Sequence, residues 1–563
     1  MQKKRKMNRR IVVEVLGCLA ILTLVLSWTA TTAVGQTKKK EEPKRGGTLT
    51  LVSELAPTGG FDPIYSLPYG HLGPVTIPLM SGDFYAGPAG QNKVTWRYAE
   101  QEQPQFMNKG LAERWTIPNP STIIFHLRKG IKWHDKPPVN GREVTAEDMK
   151  WSYERLTSTP TSGLSQIEKE QAGGKITYTA VDKYTFKIEF AKADMRSMFT
   201  ARDWYRHTAK EVIEKYGNQN DWKNVVGNGP FLLTDYAEGS SLTYKSNPNY
   251  WETDPEGRKL PYIDGFQILI IGDRSTRLAA LRAGKIDILS EVEWRDADDV
   301  LKTNPNIKST GEYTFSQPYV GFNCSMKPFD DLKVRRALYM AIDEGAIVKG
   351  YHKGHSSIVV TGMQPPGFSM VPTMGELPAT TKELFQYNPE KAKQLLTEAG
   401  YPNGFKTTMS ILSRDEPYAS LVKAYWSQVG VDASIDVLEV ANYTSQLYGF
   451  KFASWLGRWG FSWGNWSWVF QPGANWNYTR ITDPTLSKLI AEATMNYVDW
   501  NKWVKDWKAI NIRVLDQAYE HLIPGPNVRT LWQPWLKNYS GELYLGRTGY
   551  YLYPAYIWAD KGK

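Results

Sequence analysis

From Gly46 the apolar and polar positions begin to alternate. Gly46-Gly-Thr-Leu-Thr-Leu-Val52 reads as a strand, and the turn residues Gly59-Gly-Phe-Asp-Pro63 end it. Between about Phe84 and Asp221 the pattern is one of short strands separated by turns, such as Ser121–Leu127 and Tyr184–Phe190. One helix interrupts them over Met149–Leu156, opened by the capping-box-like Thr145-Ala-Glu-Asp148. Past Gly229 alternation returns in Phe231–Thr234, Ser241–Tyr244 and Phe266–Ile271. A helix over Ser275–Ala283, stopped by Gly284, then leads into a strand over Lys285–Leu289. Strand–helix–strand alternation of this kind predicts α/β layers.

A second block starts at Tyr319-Val-Gly-Phe-Asn323. Asp331–Ile342 reads as a helix with Val334, Leu338, Ala341 and Ile342 on one face. Asn388-Pro389 supplies an N-cap and a first turn for a helix that ends at Gly400. A helix over Tyr418–Val429 stops at Gly430 and gives way to an alternating strand over Val431–Val440. Two further helices follow Asp483-Pro484 and Asp499, the second running to Tyr519. Trp532–Trp558 is aromatic and turn-rich, and no internal repeat is evident.

The stretch from Lys451 to Trp476 is the densest in indole. It holds Trp455, Trp459, Trp463, Trp466, Trp468 and Trp476 of the chain's 22 tryptophans. Indole is costly to leave in water, yet its N–H needs a partner, so such a cluster suits a partly wet pocket wall. Gly457, Gly460 and Gly464 permit close backbone approach. The rings at 455, 459, 463 and 466 also match the stripe of a buried helix, although three glycines there cost about 1 kcal/mol each. Pocket wall, buried helix and ordinary loop packing all stay open on pattern alone.

Composition narrows the class. At 563 residues the chain exceeds one core, and 41% hydrophobic with 22% charged residues is ordinary globular usage. The formal charge of +10 is concentrated at the N-terminus: residues 1–35 carry six Lys/Arg against one Glu, and Gln36–Arg45 five against two. The body is then nearly neutral, which excludes a nucleic-acid footprint. Met1–Arg10 is basic, Ile11–Trp28 is apolar, and Ala33-Val-Gly35 resembles a signal-peptidase site, so residues 1–35 read as a secretory signal or a retained membrane anchor. Val15-Leu-Gly-Cys18 also resembles a lipoprotein box, and every version places the body outside the cytoplasm. Residues 36–45 read as a charged linker. Without the leader Cys324 stands alone, so no internal disulfide forms and the thiol is expected to be buried rather than reactive.

Six ordered motifs then carry a resemblance. They are Gly46–Leu51; Leu111-Ala-Glu-Arg-Trp115 with Phe125-His-Leu-Arg-Lys-Gly-Ile-Lys-Trp-His-Asp135 and Val144–Asp148; Val226-Gly-Asn-Gly-Pro-Phe231 with Asn247-Pro-Asn-Tyr-Trp251; Leu332-Lys-Val-Arg-Arg-Ala-Leu338 with Ala341-Ile-Asp343; Tyr387–Ala392; and Glu398-Ala-Gly-Tyr401. Together they resemble the family 5 solute-binding proteins of bacterial ABC importers, the oligopeptide-, dipeptide- and nickel-binding group. The resemblance covers essentially everything from residue 46 on.

It implies an α/β, two-lobed periplasmic-binding-protein fold of type II, cluster C-like, with an extra inserted domain and a ligand cleft between the lobes. Lobe one would comprise 46–82, 225–310 and 535–563, the insert 83–224, and lobe two 311–534. It also implies a monomer that hands a peptide or other small solute to a membrane permease powered by a separate ATPase, with no cofactor, no metal and no nucleic acid. The backbone at Ser53, Glu54 and Leu55 would pair with an extended peptide. Arg458, Trp459, Phe461, Trp463, Asn465, Trp466 and Trp468 would form the opposing wall. Peptide binders of the family carry an aspartate for the ligand's α-ammonium in the loop matching Trp459–Trp463. This chain has no acid between Lys451 and Ile481, which leaves cation–π contact or Glu54 for that task. Aromatic walls also suit oligosaccharides, the alternative ligand class.

Competing chemistry is thin. Gly460-Phe-Ser-Trp-Gly464 matches the G-x-S-x-G elbow, with Asp483 and His521 in hydrolase order, but a Gly/Pro-rich run follows it instead of a helix. A secreted serine hydrolase is therefore a distant alternative. His352 and His355 lack a third ligand for a metal, His126 and His134 sit in the family's signature run as structural residues, and the chain has no phosphate loop.

Overall fold

Leu49 and Leu51 are almost fully buried, and their alternation with threonine puts both on the core face of strand β1 (Thr48–Ser53). The computed structural model describes residues 41–57, 59–64, 69–98, 104–159, 162, 174–193, 195, 205–360, 368–460, 469–474, 476–546 and 551–561, residues 459 and 460 by backbone alone. Arg45–Lys563 forms one compact unit. The leader lies outside the described residues. No helix among those described is long and apolar enough to cross a membrane.

After β1 the chain builds a separate antiparallel sheet from β2 (Ala112–Asn119), β3 (Thr122–Leu127), β4 (Thr177–Asp182) and β5 (Thr185–Glu189), in the order β2-β3-β5-β4. Helix α1 (Ala146–Ser158) joins β3 to β4 and starts at the expected capping box, where the Thr145 N–H and hydroxyl both donate to Asp148 Oδ2 at 2.8 and 3.0 Å. The chain then returns with β6 (Phe231–Ala237), β7 (Ser241–Ser246) and β8 (Gly265–Ile270). These complete the sheet β1-β8-β7-β6, in which β1 is an edge strand parallel to β8.

The motif run ending at Asp135 and the Val226–Phe231 motif meet through one side chain. His134 is buried; its Nδ1 accepts the Gly227 N–H at 3.2 Å and its Nε2 lies 3.1 Å from the Gly229 carbonyl. That pair of bonds requires a neutral imidazole, and burial lowers His134 from 6.5 to about 4. Between those values the unfolded chain holds the extra proton, so this contribution is complete above pH 6.5 and disappears as pH falls to about 4. It amounts to about 3 kcal/mol at most. His134→Gln, which keeps one donor and one acceptor, is expected to flatten the acid limb of a stability-versus-pH curve by about one proton. Parallel limbs for the two proteins would refute the assignment.

Helix α2 (Arg274–Arg282) is capped by Asp273, whose Oδ1 accepts from the Thr276 N–H at 2.7 Å, so it starts one residue earlier than the pattern indicated. Strand β9 (Ile288–Glu293) corrects the expected strand at Lys285–Leu289. The Asp287 N–H donates to the Thr50 carbonyl and its carboxylate accepts the Thr50 N–H, both at 2.7 Å, which ties that stretch to β1 as a connection. Helix α3 (Trp294–Thr303) and the short β10 (Lys308–Ser309) follow.

The chain then crosses into a five-stranded sheet, order β13-β12-β14-β11-β15, built from β11 (Ser316–Phe322), β12 (Phe405–Leu412), β13 (Val431–Leu438), β14 (Ser454–Gly460) and β15 (Glu520–Leu522). Helices α4 (Leu332–Met340), α5 (Pro389–Glu398) and α6 (Glu416–Ser427) cover it. They lie where the sequence places them, with Asp331 and Asn388 as caps and Gly400 and Gly430 at positive φ after the ends. The expected strand to Val440 stops at Leu438. Val440 instead opens α7 (Val440–Tyr448), which the alternation concealed. Helices α8 (Pro484–Met495) and α9 (Trp500–Asp516) precede β15. The chain finally crosses back as β16 (Val528–Trp532), placed between β10 and β9, and ends in the ladder of β17 (Leu536–Lys537) with β18 (Trp558–Ala559).

The crossings lie side by side. Tyr313 and Val528 exchange backbone bonds of 3.0 and 2.9 Å, and the Thr314 hydroxyl donates to Asn527 Oδ1 at 3.1 Å. Two sheets with covering helices, joined through paired crossing segments, make a two-lobed binding-protein architecture.

Candidate functional site

Edge strand β1 supplies the first wall. Asp287 occupies its outer edge at Thr50, and no strand pairs with that edge among the described residues. Ser53 ends the strand in a local turn: its hydroxyl donates to the Leu55 carbonyl at 2.8 Å and accepts the Leu55 N–H at 3.3 Å. The Leu55 amide is therefore already engaged, while its side chain is 73% exposed. Glu54 is exposed as well and lies 3.4 Å from Arg277, whose guanidinium is anchored on the carbonyls of Ile271 and Gly272.

Next to this strand end, β9 turns Glu291 outward at φ +57°, a conformation rare for a residue with a Cβ. The Tyr544 hydroxyl donates to its Oε1 at 3.3 Å. The carboxylate reaches water, yet the surrounding walls withhold solvent, and with Glu54 nearby they push it up to about 7. A cavity of about 60 Å³ lined by Val52, Ser290, Tyr544 and Tyr551 adjoins it.

The crossing segments form the floor of a larger cavity of about 560 Å³. Arg97, Tyr98, Tyr313, Thr314, Phe368 and Trp500 are among its lining residues. Tyr98 donates to the Thr314 carbonyl at 2.9 Å, and its ring meets Tyr313 and Phe368 edge-on, which pins the Lys93–Tyr98 loop to the crossing. Glu312 is committed to His355 at 2.7 Å and Arg529 at 2.9 Å.

Strand β14 opens the tryptophan stretch as an extended segment, so neither the helical stripe nor a loop describes Ser454–Gly460. Trp455 is buried in the sheet, and its Nε1–H donates to the Tyr319 hydroxyl at 3.0 Å. Arg458 forms an ion pair with the fully buried Asp415 at 2.6 Å and lies over the Tyr418 ring. Trp459 is paired to Gln317 along the backbone. Phe461, Trp463, Asn465, Trp466 and Trp468 lie outside the described residues, as does the G-x-S-x-G serine at 462.

The remaining candidates have structural partners. His521 is buried against Glu344 at 2.7 Å and stacks on Tyr339, while Asp483 caps α8 and pairs with Arg513. His352 bonds the Pro524 carbonyl at 2.9 Å. Cys324 is half-buried, and burial pushes its thiol up to about 11. Glu291, Arg97, Tyr98 and Tyr313 escaped the sequence reading; only the interleaved Trp96-Arg97-Tyr98 offered a local hint. Hydroxyls, amide edges, aromatic faces and fixed charges around open space suit recognition of a solute.

Comparison with known proteins agrees. The chain is 28% identical over 389 residues to di/tripeptide-binding protein 1 of Pseudomonas aeruginosa, covering 62% of this chain and 67% of that protein. It is 31% identical over 360 residues to heme-binding protein A of Haemophilus influenzae, covering 59% of this chain and 62% of that protein. The matched region thus spans about two thirds of these relatives' length. The fold matches the ABC transporter-associated periplasmic binding protein DppA of Helicobacter pylori in complex with peptide STSA. The TM-score is 0.71 at 21% identity, over 92% of this chain and 99% of that one. Residues 107–478 match the model for the middle part of the bacterial extracellular solute-binding proteins of family 5, and the chain belongs to that family.

Proposed function

We propose that this protein is the extracytoplasmic substrate-binding component of an ABC importer and that its cargo is peptide. Residues 46–82, 225–310 and 535–563 would act as one lobe and 311–534 as the other, with 83–224 inserted in the first. The lobes close over the ligand and present it, as a monomer, to a permease served by a separate ATPase. The N-terminal segment would direct or tether the body to the outer face of the membrane. Closure must be reversible, so it is a shift between populations separated by a few kcal/mol.

The observation that carries the peptide assignment is the outer edge of β1 beyond Thr50, which no strand pairs among the described residues, beside the small cavity at Val52 and Tyr544. An extended backbone adds to such an edge as a strand, each hydrogen bond contributing about 0.5–1.5 kcal/mol net. Ser53, Glu54 and Leu55 border this edge, and Glu54 and Glu291 offer carboxylates to a ligand ammonium. Trp459, Phe461, Trp463, Asn465, Trp466 and Trp468 would complete the lid, with Arg458 holding their strand in place. The relatives named for di- and tripeptides support the same class.

A melting screen of the mature protein tests this. A peptide of two to five residues at a hundredfold excess over its Kd is expected to stabilise the fold by about 2.7 kcal/mol. No shift with any free peptide at about 1 mM, alongside a shift with a cello-oligosaccharide, would remove the peptide assignment.

A further inference from the structure

Helix α3 begins directly at the carboxyl end of β9, with Trp294 and Arg295 as its first residues. A cation in the first turn is opposed by the helix dipole, so local chemistry does not account for Arg295. Its partner is distant in sequence. The exposed Arg295 guanidinium donates to the Tyr351 carbonyl at 3.0 Å and lies over the Trp294 ring at 5.1 Å. Tyr351 closes a π-helical turn over Ile347–Tyr351, and the last carbonyls of such a turn are groups that a basic side chain satisfies.

Beside this bond the Trp294 ring stacks on His355 at 4.0 Å and 9°. Asn527 of the crossing segment holds both residues: its carbonyl accepts the Trp294 N–H at 3.1 Å, and its N–H donates to the His355 carbonyl at 3.0 Å. In the lobe assignment above, Trp294 and Arg295 belong to the first lobe, Tyr351 and His355 to the second. The stack is thus tied to the pivot, while the Arg295–Tyr351 bond runs directly between the lobes.

The side on which that bond lies gives its sense. Arg295 follows the end of β9, whose Ser290 borders the small cavity at Val52. Across from it, Tyr351 meets the Tyr418 ring edge-on and His352 stacks on the same ring. Tyr418 stands in the first turn of α6, just past the carboxyl end of β12. Ligands of open α/β sheets lie outside the carboxyl ends of the strands, so this bond is on the cleft side. Opening the cleft about the crossing segments parts it, and closure makes it.

We propose that Arg295 and the Tyr351 carbonyl form a latch that favours the closed form without touching the solute. The inference rests on the reading above that the two lobes close over a captured solute. Such a latch lengthens the residence of every cargo by one common factor and leaves the choice of cargo unchanged.

The test compares the wild type with Arg295→Met, which keeps the stem over Trp294, and Arg295→Lys, which keeps a donor. Dialanine and pentaalanine are titrated calorimetrically, their release is timed by stopped flow, and the empty proteins are measured by small-angle X-ray scattering. Arg295→Met is expected to bind both peptides about three- to tenfold more weakly, by the same factor and through faster release. Arg295→Lys should recover part of the loss. Unchanged release overturns the proposal. So does a loss confined to one peptide, which makes Arg295 a solute contact, or tighter binding, which assigns the bond to the open form. If neither peptide binds the wild type, the peptide reading falls and scattering decides: a larger radius of gyration for Arg295→Met upholds the latch, and equal radii overturn it.

Discussion

Arg458→Met is expected to cost about 3–5 kcal/mol of stability, although Arg458 sits where a ligand contact is anticipated. Asp415 is 0% exposed, and the Arg458 Nε–H, 2.6 Å away, is its close charge partner. Arg414 is 3.7 Å from the other oxygen and largely in water, which weakens it as a substitute. Methionine preserves the packing of the stem over Tyr418 but leaves a buried carboxylate unbalanced. The double variant Arg458→Met, Asp415→Asn should recover most of the loss, because the penalty comes from the stranded charge. Urea denaturation of the set decides the matter, and a loss below about 1 kcal/mol in the single variant would show the pair to be dispensable.

The second large effect concerns two glycines on facing strands. A Cβ on Gly321 would fall 2.2 Å from the Trp455 ring, and one on Gly457 would fall 2.9 Å from the Tyr319 ring. Each glycine thus leaves room for the aromatic residue directly across the β11–β14 ladder, where Gly321 pairs with Trp455 and Tyr319 with Gly457. The indole is not free to retreat, since it donates to the Tyr319 hydroxyl that the second glycine accommodates. Gly321→Ala is expected to lose about 1–3 kcal/mol through overpacking. Adding Trp455→Leu should return part of that loss by making space. If Gly321→Ala melts with the wild type, the close packing of the two strands has been misjudged.

Signals confined to one turn were legible in the sequence. The Thr145–Asp148 box, the caps Asp331 and Asn388-Pro389, and the stops Gly400 and Gly430 depend on chemistry within four residues of the helix end. Strand β14 was not legible, because Gly457 makes sense only beside Tyr319 and Trp455 only beside Gly321, more than a hundred residues earlier. The same division governs the site. The first strand could be found by its alternation, whereas Ser53–Leu55 entered only through the family resemblance. Glu291, Tyr313 and Arg97 are brought together by β9, the crossing segments and a loop that Tyr98 ties down, and no local pattern encodes that meeting. Arg458 was expected on the ligand wall, and its ion pair with the buried Asp415, 43 positions upstream, was not legible locally.

Strand β14 also bears on how such a receptor changes its diet. Ser454 and Trp455 are gripped on both flanks, by β11 and by β12, and the ladder with β11 continues to Gly460. The alignment of this strand is therefore settled by its neighbours on both flanks. Under the proposed reading, new side chains in the interval 461–468 would alter what is grasped without renegotiating the alignment of the strand before it, so one scaffold could acquire new cargo by local revision.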